Sequence, residues 1–249
     1  MSEKTFRAVA ADQRTNVEGK QVLNKILLAM PDNEYKLMRA DLMHTDLPSH
    51  LSLHEPTQNI EFAYFPNRGM VSQVVVTKDG RTVEVGVVGK EGYAGAGLAI
   101  GVSRSSVREI IQVAGDGFRM KGNALQRILR SAPQLQVILN RHTGLQGMQV
   151  SQTAACNRLH DIRQRLSRWL LMTQDRVDAG VLQITHDFIA TMMGTDRSTV
   201  SLAATVMQKD GIIDYMRGAV KIVNRRKLEK SACECYGVIQ HLEDELGLG

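Results

Sequence analysis

The 249-residue sequence predicts an α+β chain: a small β-barrel or sandwich, then a long helical tract, then two short helices closed by a β-hairpin. Three observations predict it. Between residues 60 and 118, runs rich in β-branched and aromatic residues (EFAYF, MVSQVVVT, RTVEVGVV, SVREIIQV) are separated by the turn signals Pro-Asn-Arg-Gly, Lys-Asp-Gly, Gly-Lys-Glu-Gly and Ala-Gly-Asp-Gly. From about residue 122 to 176 the glycine punctuation stops and helical spacing takes over, interrupted near Pro133. From residue 184, two short helical patterns meet at Gly194, and a hairpin with Arg217-Gly218 at its tip follows. The length exceeds the usual single-domain size, and the change of pattern divides the chain into residues 1–155 and 156–249.

In chain order, residues 24–53 carry Ile26, Leu27, Met30, Leu37, Met38 and Leu42 at helical intervals, with Pro31-Asp32 as a break, so a short helical entry is expected. His44, His50 and His54 lie in or just after this stretch. Pro48 and Pro56 bracket the last two and no nearby carboxylate completes a metal site, so they read as solvated loop histidines. The evenly spaced strands imply a barrel or sandwich. In the helical tract, Leu135, Ile138, Leu139, His142, Leu145, Met148 and Gln152 follow a stripe of roughly 3.5 residues. That stripe suits either self-pairing or packing against the chain's own barrel. Self-pairing is the preferred reading, because Gly144 and Gly147 allow close approach. A second helix over 157–176 places Leu159, Ile162, Leu166, Trp169 and Leu170 on one side. Arg158, Arg163, Arg165 and Arg168 lie on the other, solvated or near phosphate.

The stretch ITHDFIATMMGTDRSTVSLAATVMQKDGII carries the functional signal. Thr185 is placed to cap the first helix, Gly194 to take the left-handed turn that ends it, and Asp196 to cap the second. Val200, Ala203, Ala204 and Met207 recur at i, i+3, i+4 and i+7 and are expected to face inward. Arg197, Ser198, Ser201, Leu202 and Thr205 then face outward. Ala190, Gly194 and Val200 supply what a helix-turn-helix needs: a small residue for close approach, a glycine for positive φ and a branched apolar wedge. With the basic hairpin behind it, this is a winged helix-turn-helix, whose tip meets the phosphate backbone of double-stranded DNA. Arg197, Ser198, Ser201, Leu202 and Thr205 are the candidate base readers, and Thr185, Thr199, Arg217 and Lys221 the candidate phosphate contacts.

Glycine-turned strands, a long helix, this winged helix and the tail ACECY (232–236) together resemble the Crp/Fnr family of bacterial transcription regulators. The resemblance implies an amino-terminal jelly-roll barrel of the cyclic-nucleotide-binding type, a long helix that pairs two chains, and a homodimer on a palindromic site, with RNA polymerase as a further partner. It also implies a place for an effector. Members that bind cyclic AMP use a cassette resembling G-E-[LI]-[GA], followed about ten residues later by Arg-Ser. Here Gly95, Ala96 and Gly97 stand in the cassette, with alanine at the glutamate position. Arg104-Ser105 comes early, Ser106 stands near the expected position, and Arg108 comes late. Glu91 is a displaced carboxylate candidate. A phosphate without a bidentate guanidinium loses its strongest bonds, so independence of cyclic AMP is expected and the effector, if any, is unknown. With no cysteine before Cys156, the amino-terminal iron–sulfur mode of oxygen-sensing members is excluded. His142 is a haem-ligand candidate that fits a helix seam better.

The net charge of +5 suits a polyanion partner and decides little by itself. No membrane span is expected, and MSEKTFRAVAADQRTNVEGK lacks the apolar core of a signal peptide, which reads as cytoplasmic. Cys156, Cys233 and Cys235 do not form a disulfide framework. Cys233-x-Cys235 is half of a metal or redox site with no evident second cysteine or histidine pair, so no metal and no cofactor are expected. No catalytic constellation stands out. A cupin-type barrel, one alternative, needs a His-x-His…Glu…His set on its strands, and a protein-docking adaptor is another.

Overall fold

The computed structural model describes residues 14–177 and 179–247; the first thirteen residues, part of the stretch read above for a signal peptide, lie outside it. The chain begins with two short helices, α1 (Lys25–Ala29) and α2 (Asp32–Arg39). Buried Arg14 donates to the carbonyls of Leu28 and Met30 and pairs with Asp32 at 2.6 Å, satisfying the end of α1. The expected helical entry stops there. Residues 43–47 and 52–54 instead form strands β1 (Met43–Leu47) and β2 (Ser52–His54), each paired with a strand far along the chain.

Five more strands complete the barrel: β3 (Phe62–Pro66), β4 (Met70–Val76), β5 (Thr82–Val88), β6 (Arg108–Val113) and β7 (Gly115–Lys121). They form two antiparallel sheets, ordered β1-β7-β3 and β2-β6-β4-β5, as a jelly roll requires. Phe65 and Phe118 face each other across β3 and β7, and both are fully buried. Helix α3 (Gly122–Leu129) closes one end, and α4 (Pro133–Leu159) runs along the barrel for 27 residues, about 40 Å. The carboxylate of buried Glu34 accepts the N–H groups of Gln134 and Leu135 at 3.1 and 2.8 Å, anchoring the positive end of α4 to the entry helices.

The apolar stripe of α4 faces mainly inward. Leu135, Ile138, Leu139 and Leu145 join the barrel core, and the His142 ring lies 5.0 Å from that of Tyr93. The stripe therefore packs on its own barrel as far as Leu145, while Met148 is exposed. An exposed face that shares Met148 with the stripe carries Val137, Arg141, Gly144, Met148, Ser151 and Ala155 at heptad spacing. The helix breaks at His160-Asp161, later than the sequence suggested, and α5 (Ile162–Val177) begins the carboxy-terminal part. Leu159, expected on the apolar side, is 75 % exposed.

Among the described residues no helix is long and apolar enough to cross a membrane.

Candidate nucleic-acid interface and sensor interior

Strand β8 (Val181–Leu182) leads into α6 (His186–Met193) and α7 (Arg197–Lys209), and β9 (Ile213–Met216) and β10 (Ala219–Ile222) form the wing in a sheet ordered β8-β10-β9. Thr185 caps α6 by accepting the N–H of Phe188 at 3.2 Å. Gly194 takes φ 60° and receives the turn between the helices. Asp196 occupies the cap position of α7 without a side-chain hydrogen bond to the backbone. Ala190, Val200, Ala203, Ala204 and Met207 are all buried, in one cluster with Trp169, Leu170 and Val220. The inward face is thus the one the i, i+3, i+4, i+7 spacing predicts.

The outward face is uneven. Arg197 is exposed and only loosely paired with exposed Asp187 at 3.5 Å, a contact of about 0–1 kcal/mol that a better partner displaces. Leu202 is 69 % exposed on the same face. Ser198 is exposed, but the Ser201 hydroxyl is held by His186 Nδ1 at 3.0 Å, and Thr205 donates to the Ser201 carbonyl at 2.8 Å. The His186 ring stacks on Tyr215 at 3.7 Å, so a helix–helix–wing contact fixes Ser201. Burial, then the Arg197 charge, holds His186 below its ordinary value. Arg217 at the wing tip and Lys221 on β10 are exposed, and Thr199 is half-buried in the first turn of α7.

The arginines of α5 have internal work. Arg163 pairs with Asp210 at 2.8 Å, Arg165 donates to the Met193 carbonyl at 2.6 Å, and Arg168 is buried on Thr153 at 3.0 Å. For Arg165 and Arg168 the solvated or phosphate-facing reading is corrected, since they tie α5 to the turn and to α4, whereas Arg163 stays partly in solvent.

The effector-pocket candidates do not converge. Gly95, Ala96 and Gly97 begin a 3-10 turn (Ala96–Ile100), whereas Arg104 and Ser106 are exposed, Ser105 turns back on Val107, and Arg108 pairs with Glu55 at 2.9 Å. The Gly95 N–H is already taken, donating to Glu109 Oε2 at 2.8 Å. Glu109 in turn accepts from Gln73, which reaches Gln146 of α4 at 3.1 Å, so polar side chains fill the space between sheet and helix. His54 touches the same carboxylate at 3.5 Å. It is not a solvated loop residue but a buried one, pushed down to about 4 by desolvation, so the contact is not an ion pair. His44, also on a strand, pairs with Asp116 at 3.1 Å. Glu91 faces Arg176 at 2.7 Å rather than the cassette.

The tail holds a further correction. Helices α8 (Arg225–Ser231) and α9 (Cys235–Glu245) return the chain to the end of α4, and Cys156 and His160, one helical turn apart, meet Cys233 and Cys235. The second pair that the sequence seemed to lack is there. Its members are distant in sequence, and the Cys-x3-His spacing on α4 was the signal available.

A jelly-roll barrel, a long helix and a winged helix-turn-helix with an outward arginine make up the fold. Residues 164–231 match the family of the Crp-like helix-turn-helix domain. The c-di-GMP-responsive global regulator CLP of Xanthomonas campestris superposes with a TM-score of 0.65 at 16% identity, over 78% of this chain and 100% of its own. A putative Crp/Fnr-family transcriptional regulator of Eubacterium rectale gives 0.65 at 15% identity, over 81% and 94%. FixK2 of Bradyrhizobium japonicum gives 0.63 at 15%, over 77% and 98%. No curated protein matches the sequence. The chain carries a Crp-like helix-turn-helix domain within a Crp/Fnr-type fold, as its motifs implied.

Proposed function

We propose that the chain is a homodimeric, sequence-specific transcription regulator, acting in the cytoplasm on a palindromic DNA site and independently of cyclic AMP. The observation that carries it is the outward face of α7, where an arginine in the first turn and a bare leucine one turn on stand on a helix fixed by a buried wedge. Two such helices in a dimer lie about 34 Å apart, one turn of duplex. Arg197 reaches O6 and N7 of guanine, and Leu202 packs on a thymine methyl. Ser198 and Thr205 flank them, and Ser201, held by His186, contributes shape more than a free hydroxyl. Thr185, Thr199, Arg217 and Lys221 contact phosphates. RNA polymerase is the further protein partner this reading implies.

The test is site selection on random duplexes. Arg197→Ala is expected to erase preference at one guanine, a loss of about 1–3 kcal/mol against the wild-type consensus, and Leu202→Arg to turn a thymine preference into guanine. Equal weakening on all sequences would make Arg197 a phosphate contact and sink the reading of α7. A shallow salt dependence would favour a protein-docking adaptor.

Pairing is assigned to the exposed heptad face of α4, where Gly144, Ser151 and Ala155 permit close approach around Val137 and Met148. Met148→Glu places like charges across the two-fold seam and is expected to weaken self-association by about tenfold or more in sedimentation. A wild-type chain that sediments as a monomer at micromolar concentration overturns this.

Independence of cyclic AMP rests on Ala96 and on Glu109, whose carboxyl occupies the N–H that an anion would need. Titration calorimetry with cyclic AMP is expected to show no binding heat. Micromolar affinity with a matching gain in DNA binding would reverse the assignment. A different small effector, from the candidate positions Gly95, Ala96, Gly97, Arg104, Ser105, Ser106 and Arg108, requires Glu109 to move.

A further inference from the structure

We propose that Cys156, His160, Cys233 and Cys235 form a structural Zn²⁺ site that clasps the end of the long helix to the carboxy-terminal tail. Their four donor atoms all lie within 4.8 Å of one another. The Cys156 and Cys233 sulfurs are 3.5 Å apart, and Cys235 Sγ is 3.5 Å from His160 Nδ1. Tetrahedral zinc with Zn–S near 2.3 Å and Zn–N near 2.0 Å sets edges of about 3.8 Å between sulfurs and about 3.5 Å from sulfur to nitrogen. Two opposite edges therefore already match the required tetrahedron, and the other donors lie within 4.8 Å. A disulfide needs sulfurs about 2.05 Å apart. A multi-iron cluster, with inorganic sulfide between its cysteines, needs a wider cage than this one.

Local structure explains the assembly. Cys156 and His160 stand four residues apart, so they share the face of α4 at its last turn. Cys233 and Cys235 straddle the entry to α9, and an x of one residue lets both sulfurs turn to the same point. All three cysteines are buried, at 1 %, 4 % and 1 % exposure, in a cluster of their own.

The surroundings suit a metal more than they suit three idle thiols. His160 offers Nδ1 inward while its Nε2 meets the Glu234 carboxylate at 3.3 Å, the carboxylate–histidine arrangement that orients zinc ligands. Gln152 Nε2 donates to Cys235 Sγ at 3.1 Å, as it would to a thiolate. Three thiolates and Zn²⁺ leave one net negative charge, and Arg168, buried nearby with its Nε unpartnered by protein, is the compensating cation. Four protein donors close the coordination sphere, which marks a structural site rather than a catalytic one. Thiolate and imidazole in a tetrahedron select zinc over magnesium, calcium or manganese.

The assignment stands on these side chains and not on the DNA reading, and its test needs no DNA. The full chain, purified with reductant and dialysed against Zn²⁺ and then metal-free buffer, is expected to hold about one zinc per chain by atomic emission. Exchange for Co²⁺ is expected to give the intense visible bands of a tetrahedral site and thiolate charge-transfer absorption. Glu234→Ala, an exposed change that leaves the ligands in place, is expected to weaken zinc about 10–100-fold in competition with a chromophoric chelator. Cys233→Ser is expected to abolish stoichiometric binding. A chain that retains no zinc and gives only the weak spectrum of octahedral Co²⁺ overturns the site, as does equal zinc affinity in wild type and Cys233→Ser. A visible iron–sulfur chromophore, or a Cys156–Cys233 disulfide in peptide maps of protein prepared without reductant, also overturns it.

Discussion

Arg176→Met is expected to cost about 3–5 kcal/mol of stability, because it strands two carboxylates in the interior. The Arg176 guanidinium is 5 % exposed and lies 2.7 Å from both Glu91 and Glu243. Burial pushes Glu91 up, but Arg176 and the N–H groups of Gly89 and Glu91 more than offset it and hold the carboxyl below the usual range. For Glu243 burial wins, and the carboxyl is raised in spite of the same arginine. The three groups come from the barrel loop after β5, the end of α5 and α9, so the triad joins the sensor half to the reading half. Removing the cation leaves Glu91 to protonate or to open the joint. Urea unfolding of Arg176→Met is expected to show the loss, and adding Glu91→Gln and Glu243→Gln is expected to recover most of it, since neutral amides need no counter-charge. A loss below about 1 kcal/mol, in the range of an exposed pair, would mean the triad is solvated and the joint is held elsewhere.

The winged helix was legible in the sequence because its determinants are local. Ala190, Gly194 and Val200 encode the turn by spacing alone, and Arg217-Gly218 encodes the wing tip. The four barrel strands read from turn signals were found for the same reason. Strands β1, β2 and β7 were missed: MHTDL and SLH are short and polar, the glycines of Ala-Gly-Asp-Gly read as a turn although Gly115, Asp116 and Gly117 open β7, and the pairing of β1 with β7 and of β2 with β6 is set by partners at least about 55 residues away. The stripe of α4 was recognised, but periodicity records only that a face is buried. Whether it meets a barrel or a second chain depends on where Tyr93 and Phe65 lie. The cysteine cluster fails to show for the same reason: Cys156 and Cys233 are 77 residues apart, and only the return of α9 brings them together.

The same dependence on tertiary contact makes Glu84 a second strong test. This residue of β5 accepts from the Trp169 indole at 2.8 Å and from the Ser72 hydroxyl, so a strand of the barrel holds the helix that begins the reading half. Burial pushes its carboxyl up to about 7, against the hydrogen bonds of Ser72 and Trp169 and the charges of Arg168 and Arg176. The folded state therefore binds a proton that the unfolded chain releases near 4.5. Its contribution is fully present below that value and is lost as pH rises toward and through 7, by up to about 3 kcal/mol. His54 and His142 oppose this slope: both are pushed down to about 4 by burial, so their stabilising share is present above their ordinary value of 6.5 and lost as pH falls. A comparison with Glu84→Gln separates the two, because the amide keeps an acceptor for Trp169 and cannot titrate. The stability of Glu84→Gln relative to wild type is expected to rise between pH 5 and pH 8 by up to about 3 kcal/mol, with the histidine terms cancelling in the difference. A difference that stays flat across that range would mean Glu84 remains solvated or charged throughout, and that the Trp169 bond does not pass through a dry interior.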